Sequence, residues 1–209
     1  MIPKPFECKW SSDERALALA LLVITKKILS LGDVRPTLIC GSLLGAIRHD
    51  GLIPWDDDLD ISIPKDSWES LLGQSSLFEQ YGLTFFTCRG SPTHKIHFKN
   101  MPFPFIDIFR HEQIDEKTIR SYGHLDKFFV DVPIECWYPF HDHKFETILF
   151  PVPATPEAFL DGKYSNWRNI ADTGVWDHKR KCRRPKNMQT QMLWKELQCL
   201  QECASDDSI

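Results

Sequence analysis

The chain has 209 residues, 42% of them hydrophobic and 26% charged, which is enough apolar material for one sizeable core and excludes a disordered or fibrous class. Its formal net charge of -4 carries none of the basic excess that nucleic-acid binding requires, so no nucleic-acid partner is expected. No run of about 18 apolar residues is present and residues 1–10 lack the apolar stretch of a secretory signal; no transmembrane segment is expected, and the cytoplasm is the expected compartment.

Ser11 and Glu14 stand three apart like a capping box, and Leu17, Leu21, Ile24, Ile28 and Leu31 then recur at helical spacing up to Gly32. Residues 37–40 read as a short strand broken by Gly41 and Ser42, and 43–49 as one or two helical turns. After a loop around Pro54, residues 58–63 alternate strictly until Pro64, a strand with one polar face. A helix at 66–72, short helical residues up to Gly82, a strand at 83–88 and a turn at 89–93 follow. Residues 94–99 alternate again, with Ile96 and Phe98 opposite Lys95, His97 and Lys99. Residues 105–109 form an apolar strand interrupted by Asp107. Further strands are predicted at 128–132 and 147–152, with helices at 156–160 and 189–201, the last striped by Leu193, Leu197 and Leu200. The basic run at 179–186 reads as a solvated, mobile segment. The whole is expected to be one domain over 1–209, with a core over about 12–170 and a basic segment and C-terminal helix over 171–209.

Seven cysteines are an odd number without a C-x-x-C pair, so a disulfide framework is not expected. Neither Cys136 with His141 and His143 nor Cys199 with Cys203 supplies four zinc ligands at a familiar spacing. Trp55 reads as a packing residue.

The acids carry more information. Asp56, Asp57, Asp58 and Asp60 crowd into five positions, and carboxylates about 4 Å apart repel by roughly 1 kcal/mol even in bulk water. Residues two apart on a strand share a face, so Asp58 and Asp60 can aim at one hard cation while Leu59, Ile61 and Ile63 enter the core. An ionised Asp107 in so apolar a strand needs a partner, and a metal shared with Asp58 and Asp60 would be one. Oxygen ligation of this kind suits Mg2+ or Mn2+. Gly41 and Ser42, at a strand-to-helix turn, can hold a phosphate at the positive helix end; Arg48 and His49 can face the same anion, and Lys95 can reach it from its strand.

Residues 40–63, Cys-Gly-Ser-Leu-Leu-Gly-Ala-Ile-Arg-His-Asp-Gly-Leu-Ile-Pro-Trp-Asp-Asp-Asp-Leu-Asp-Ile-Ser-Ile, resemble the signature of the LicD and fukutin-related phosphotransferases. Phe105-Ile-Asp-Ile-Phe109 resembles the family's next acidic strand, and residues 151–169 resemble its C-terminal portion more loosely. The resemblance implies an α+β fold with a nucleotidyltransferase-type (DNA polymerase beta-like) core, a mixed β-sheet with flanking helices. It implies transfer of a phospho-alcohol group such as phosphocholine or ribitol phosphate from a CDP-alcohol donor to a glycan or other hydroxyl acceptor. Asp58, Asp60 and Asp107 would be metal ligands and catalytic acids, Gly41 and Ser42 the phosphate cradle, and Asp107 a base toward the acceptor hydroxyl. One alternative keeps the site but transfers a nucleotide from an NTP with pyrophosphate release. Another is a catalytically inactive nucleotide-binding or scaffold protein.

Overall fold

The capping box forms as the sequence predicts. Ser11 Oγ accepts from Glu14 N at 3.2 Å and Glu14 Oε2 accepts from Ser11 N at 2.9 Å, so helix α1 (Ser12–Leu31) starts with its first donors satisfied. Its buried stripe runs through Ala18, Leu21, Leu22, Thr25, Ile28 and Leu29, whereas Leu31 at the last turn faces solvent. The computed structural model describes residues 1–87, 94–123, 128–174, 176–180, 182–184, 186 and 190–206, with backbone alone for 176 and 202–206. The turn expected at 89–93 lies outside the described residues.

A seven-stranded mixed sheet is built from β1 (Thr37–Leu38), β2 (Leu59–Pro64), β3 (Leu83–Thr87), β4 (His94–Phe98), β5 (Met101–Gln113), β6 (Thr118–Tyr122) and β7 (Phe129–Pro133). The order is β1-β2-β5-β4-β3, with β6 paired to the far end of β5 and β7 beside it. Only β2 and β5 run parallel among these pairs. Their crossover holds α3 (Trp68–Gly73), α4 (Ser75–Gln80), β3 and β4. The polar face expected on β2 forms, but it too is covered: Leu59, Ile61 and Ile63 are buried on one side, and Asp60 and Ser62 are buried on the other. That second face lies under α2 (Cys40–His49), which packs on β2.

The C-terminal half adds α5 (Ile134–Trp137), the hairpin β8 (His141–Phe145) and β9 (Ile148–Val152), and α6 (Pro156–Lys163). Three short strands, β10 (Ile170–Asp172), β11 (Trp176–Asp177) and β12 (Cys182–Arg183), lead to β13 (Gln191–Leu193) and α7 (Trp194–Asp206). The helix expected from residue 189 therefore begins later, because 191–193 pair with 170–172 as a ladder. Leu193 consequently faces solvent while Leu197 is fully buried. No helix among the described residues is long and apolar enough to cross a membrane.

Helix α2 fits its loop without room to spare. A Cβ on Gly45 would lie 2.3 Å from the carbonyl oxygen of Gly51, a backbone atom that cannot rotate away. Asp50, between them, adopts the left-handed conformation that ends the helix. Gly45→Ala is therefore expected to destabilise the protein by about 1–3 kcal/mol through overpacking, despite alanine's better helix propensity, as read by denaturant unfolding.

Candidate active site

Strand β2 hands Asp60 to the start of α2. Asp60 Oδ2 accepts from Gly41 N at 3.0 Å, Asp60 N donates to Ser42 Oγ at 2.8 Å, and Asp60 O accepts from Ile39 N at 3.3 Å. Gly41 and Ser42 thus sit inside the first turn of α2, which begins earlier than the sequence reading placed it, and the helix's positive end faces a carboxylate. Glycine is required at 41 by close approach: a Cβ there would stand 2.6 Å from Asp56 Oδ2 and 3.3 Å from Asp60 Oδ2.

The parallel register of β2 and β5 sets Asp60 beside Asp107, and Asp58 lies two residues before Asp60. One carboxylate oxygen each from Asp58, Asp60 and Asp107 lies within 4.8 Å of the others. Asp107 is fully buried, and Lys95 Nζ, across the β4–β5 ladder, stands 2.5 Å from its Oδ1. The approach is an ion pair without hydrogen-bond geometry, so neither Asp107 oxygen has a hydrogen bond among the described residues. Lys95, expected to reach a phosphate, is instead the counter-ion of Asp107 and also lies 3.7 Å from the Phe105 ring centroid.

These acids resist ionisation. Burial, then the nearby Asp107 and Asp56 charges, push Asp60 up to about 8. Burial and the charge of Asp60 raise Asp58 well above the carboxylate range, and burial and Asp57 raise Asp56. Buried oxygen donors that repel one another, one of them without a hydrogen bond, are the donor set a hard divalent cation satisfies, and Mg2+ or Mn2+ fits it.

The acids open onto a cavity of about 520 Å³, lined also by Gly41, Lys163, Tyr164 and His178. Lys163 and Tyr164, at the end of α6, were not singled out from the sequence; the positive charge of Lys163 eases the ionisation of Asp60. His178 was missed as well. Its backbone N donates to Asp57 Oδ2 at 2.9 Å, its Nδ1 lies 2.9 Å from Asp57 Oδ1, and its Nε2 is 3.4 Å from Asp58 Oδ2. Burial alone would raise Asp57, but these contacts outweigh it and the group sits below the usual carboxylate value.

Two expectations fail here for identifiable reasons. The basic run is solvated only in part: Arg180, Arg183 and Lys186 are exposed, but Lys179 Nζ bonds Glu14 at 2.8 and 3.0 Å, and Arg184 is buried and donates to Thr173 O at 2.5 Å. Arg48 and His49 do not jointly present themselves to an anion. Arg48 edges the cavity, but its Nη1 is spent on the carbonyls of Trp167 and Ile170, each at 3.0 Å. His49 packs between Trp55 and Trp194, at 5.2 and 4.6 Å between ring centroids, and burial with Arg48 beside it lowers its pKa to about 3, which keeps it neutral. Trp55 is the packing residue expected, buried and tied through Nε1 to Asp172 O at 2.9 Å.

Residues 33–155 match the family model described as LicD/FKTN/FKRP, nucleotidyltransferase domain. An uncharacterized protein of Rickettsia prowazekii (strain Madrid E) is 30% identical over 169 residues, which cover 77% of this chain and 59% of that protein. The chain thus spans about three-fifths of that relative's length. The lipopolysaccharide cholinephosphotransferase LicD of Haemophilus influenzae (strain ATCC 51907 / DSM 11121 / KW20 / Rd) is 55% identical over 29 residues, 14% of this chain and 11% of that protein. The crystal structure of the lincosamide antibiotic adenylyltransferase LnuA, lincomycin-bound, superposes with a TM-score of 0.44 at 13% identity, covering 75% of this chain and 87% of that one.

The acid trio dictates a pH dependence. With cations chelated, the pKa of Asp60 in the folded protein lies near 8, above its ordinary 3.8, so its contribution to stability is full below about pH 4 and is lost as pH rises toward about 8. A cation has most repulsion to relieve at the upper end. The rise in melting temperature produced by Mg2+ or Mn2+ is therefore expected to be larger at about pH 8 than at about pH 5, and Asp60→Asn should flatten the difference in calorimetric scans. Equal shifts at both pH values would remove these carboxylates from the metal site.

Proposed function

The chain belongs to the LicD/FKTN/FKRP nucleotidyltransferase-domain family, and on that premise we propose that it is a metal-dependent phosphotransferase. In this reading it moves a phospho-alcohol group, phosphocholine or a ribitol-phosphate-like unit, from a CDP-activated donor to a glycan or other hydroxyl acceptor. The observation that carries the proposal is the convergence of Asp58, Asp60 and the buried Asp107, the first two at the wall of a cavity large enough for a nucleotide's diphosphate and part of its nucleoside. That the Haemophilus influenzae relative is a cholinephosphotransferase supports the choice of phosphocholine-type chemistry over other transfers.

A divalent cation held by Asp58, Asp60 and Asp107 would neutralise the donor phosphates and the leaving group. The chain's own groups do the positioning. Lys163 lines the same cavity, near enough to the acids for its charge to ease the ionisation of Asp60, and would meet a donor phosphate there. Tyr164, whose hydroxyl is held protonated by burial and then by the Cys40 and acid charges, can donate a hydrogen bond. Its pKa direction keeps that donor available at neutral pH. The acceptor hydroxyl attacks the distal phosphorus, the bond to CMP breaks with CMP taking the electron pair, and the hydroxyl proton passes to a carboxylate. Asp107 was expected to take that proton, but it is fully buried behind Lys95; Asp58, with a side chain 10% exposed at the cavity wall, is better placed.

Asp58→Asn and Asp60→Asn are each expected to reduce metal-dependent turnover by roughly 100-fold or more while the protein stays folded, since each removes a member of a mutually repelling group. The assay incubates the purified protein with a panel of CDP-alcohols and nucleoside triphosphates plus Mn2+ and identifies the products. CMP release supports the phosphotransferase, whereas pyrophosphate release would replace it with nucleotidyl transfer. No product with any donor, together with no calorimetric nucleotide binding, would make the chain an inactive binding protein.

A further inference from the structure

A second cavity, of about 300 Å³, lies where residues near the start of the chain meet the basic run. Lys4, Lys9, Lys179, Arg180 and Arg184 line it against three carboxylates. The wall between the two cavities is one layer of chain. Asp56, Asp58 and His178 line the acid-bearing cavity, while Asp57, Asp177 and Lys179 line the basic one, so neighbouring residues alternate between them.

Part of this charge is matched inside the protein. Lys179 Nζ pairs with Glu14 at 2.8 Å, and Asp57 is committed to His178. Lys9 is left differently placed. Its Nζ is shut off from solvent and has no hydrogen-bond partner among the described residues. Burial lowers its pKa below the ordinary lysine value; the charges of Asp57, Asp56 and Asp177 oppose that effect and Arg184 adds to it. A buried ammonium with three unused donors is unfavourable without an acceptor, and none of the described residues accepts a hydrogen bond from it.

We propose that this basic pocket is a phosphate-binding site, distinct from the acid-lined cavity, in which a phosphate group bridges Lys9 on the floor to Arg180 and Lys4 at the rim. In this site Lys9, which lines the pocket, would turn its buried ammonium toward the anion. A dianionic phosphate suits five cationic side chains facing three carboxylates better than a monoanionic carboxylate does. The group can be free inorganic phosphate or a phosphomonoester carried on an organic ligand. The site does not depend on the transfer reaction proposed above.

The test follows the melting temperature of the full chain during titration with inorganic phosphate or glycerol phosphate. EDTA is present to keep cations from the acids, and ionic strength is held constant with chloride. Each phosphate is expected to raise the melting temperature saturably. Lys9→Met and Arg180→Ala should each weaken the apparent affinity by roughly tenfold, the loss of one charge-assisted contact. Asp60→Asn should leave it unchanged. Without phosphate, Lys9→Met should melt no lower than the parent, because it removes an unpartnered buried charge. Tighter binding of glycerol phosphate supports the site with an organic ligand, and tighter binding of inorganic phosphate supports it with a free anion. No saturable rise with either, or an unchanged rise in both variants, overturns the proposal. Should Lys9→Met fail to fold, Arg180→Ala, altered only at an exposed side chain, decides alone.

Discussion

Carboxylates that repel one another must be held together by something other than their own charges, and in this protein the backbone holds them. The β2–β5 register fixes Asp60 against Asp107, and the first turn of α2 grips Asp60 through Gly41 N and Ser42 Oγ. Much of the architecture serves that placement. Gly45 lets α2 sit hard against the loop at Gly51, and Trp55 pins the acidic loop to Asp172. Burial then does the electrostatic work: it raises the acids' pKa values and leaves a site whose ionised form wants a cation.

Local signals in the sequence proved dependable where local physics decides the outcome. The Ser11–Glu14 capping box, the alternation through residue 63 and the lone Asp107 in an apolar strand each state a constraint that neighbouring residues satisfy or violate on their own. The trio Asp58, Asp60 and Asp107 was legible for that reason, because a charge among Phe105, Ile106, Ile108 and Phe109 has to be explained.

What escaped was decided at long range. His178 reaches Asp57 across 121 positions, and nothing in its immediate neighbours marks it. A usable clue was present in charge complementarity: an acidic cluster at 56–60 and a basic run after 178 are natural partners. Arg48 looked like an anion ligand because it follows Gly41 and Ser42 by under two helical turns. Its guanidinium is instead consumed by carbonyls of 167 and 170, an allocation visible only once the chain has folded back. The strand at 191–193 was likewise hidden, since its partner at 170–172 overrides the helical preference of the following residues.

The single parallel pairing in the main sheet has a consequence in time. Strands β2 and β5 cannot be joined by a tight turn, so their register can form only after the intervening chain has closed a long loop and laid β3 and β4 alongside. Asp60 and Asp107 therefore meet only once that loop has closed. A ligand that needs both acids has nothing to bind in the chain before then, so its binding energy goes entirely to states in which the two strands are already paired.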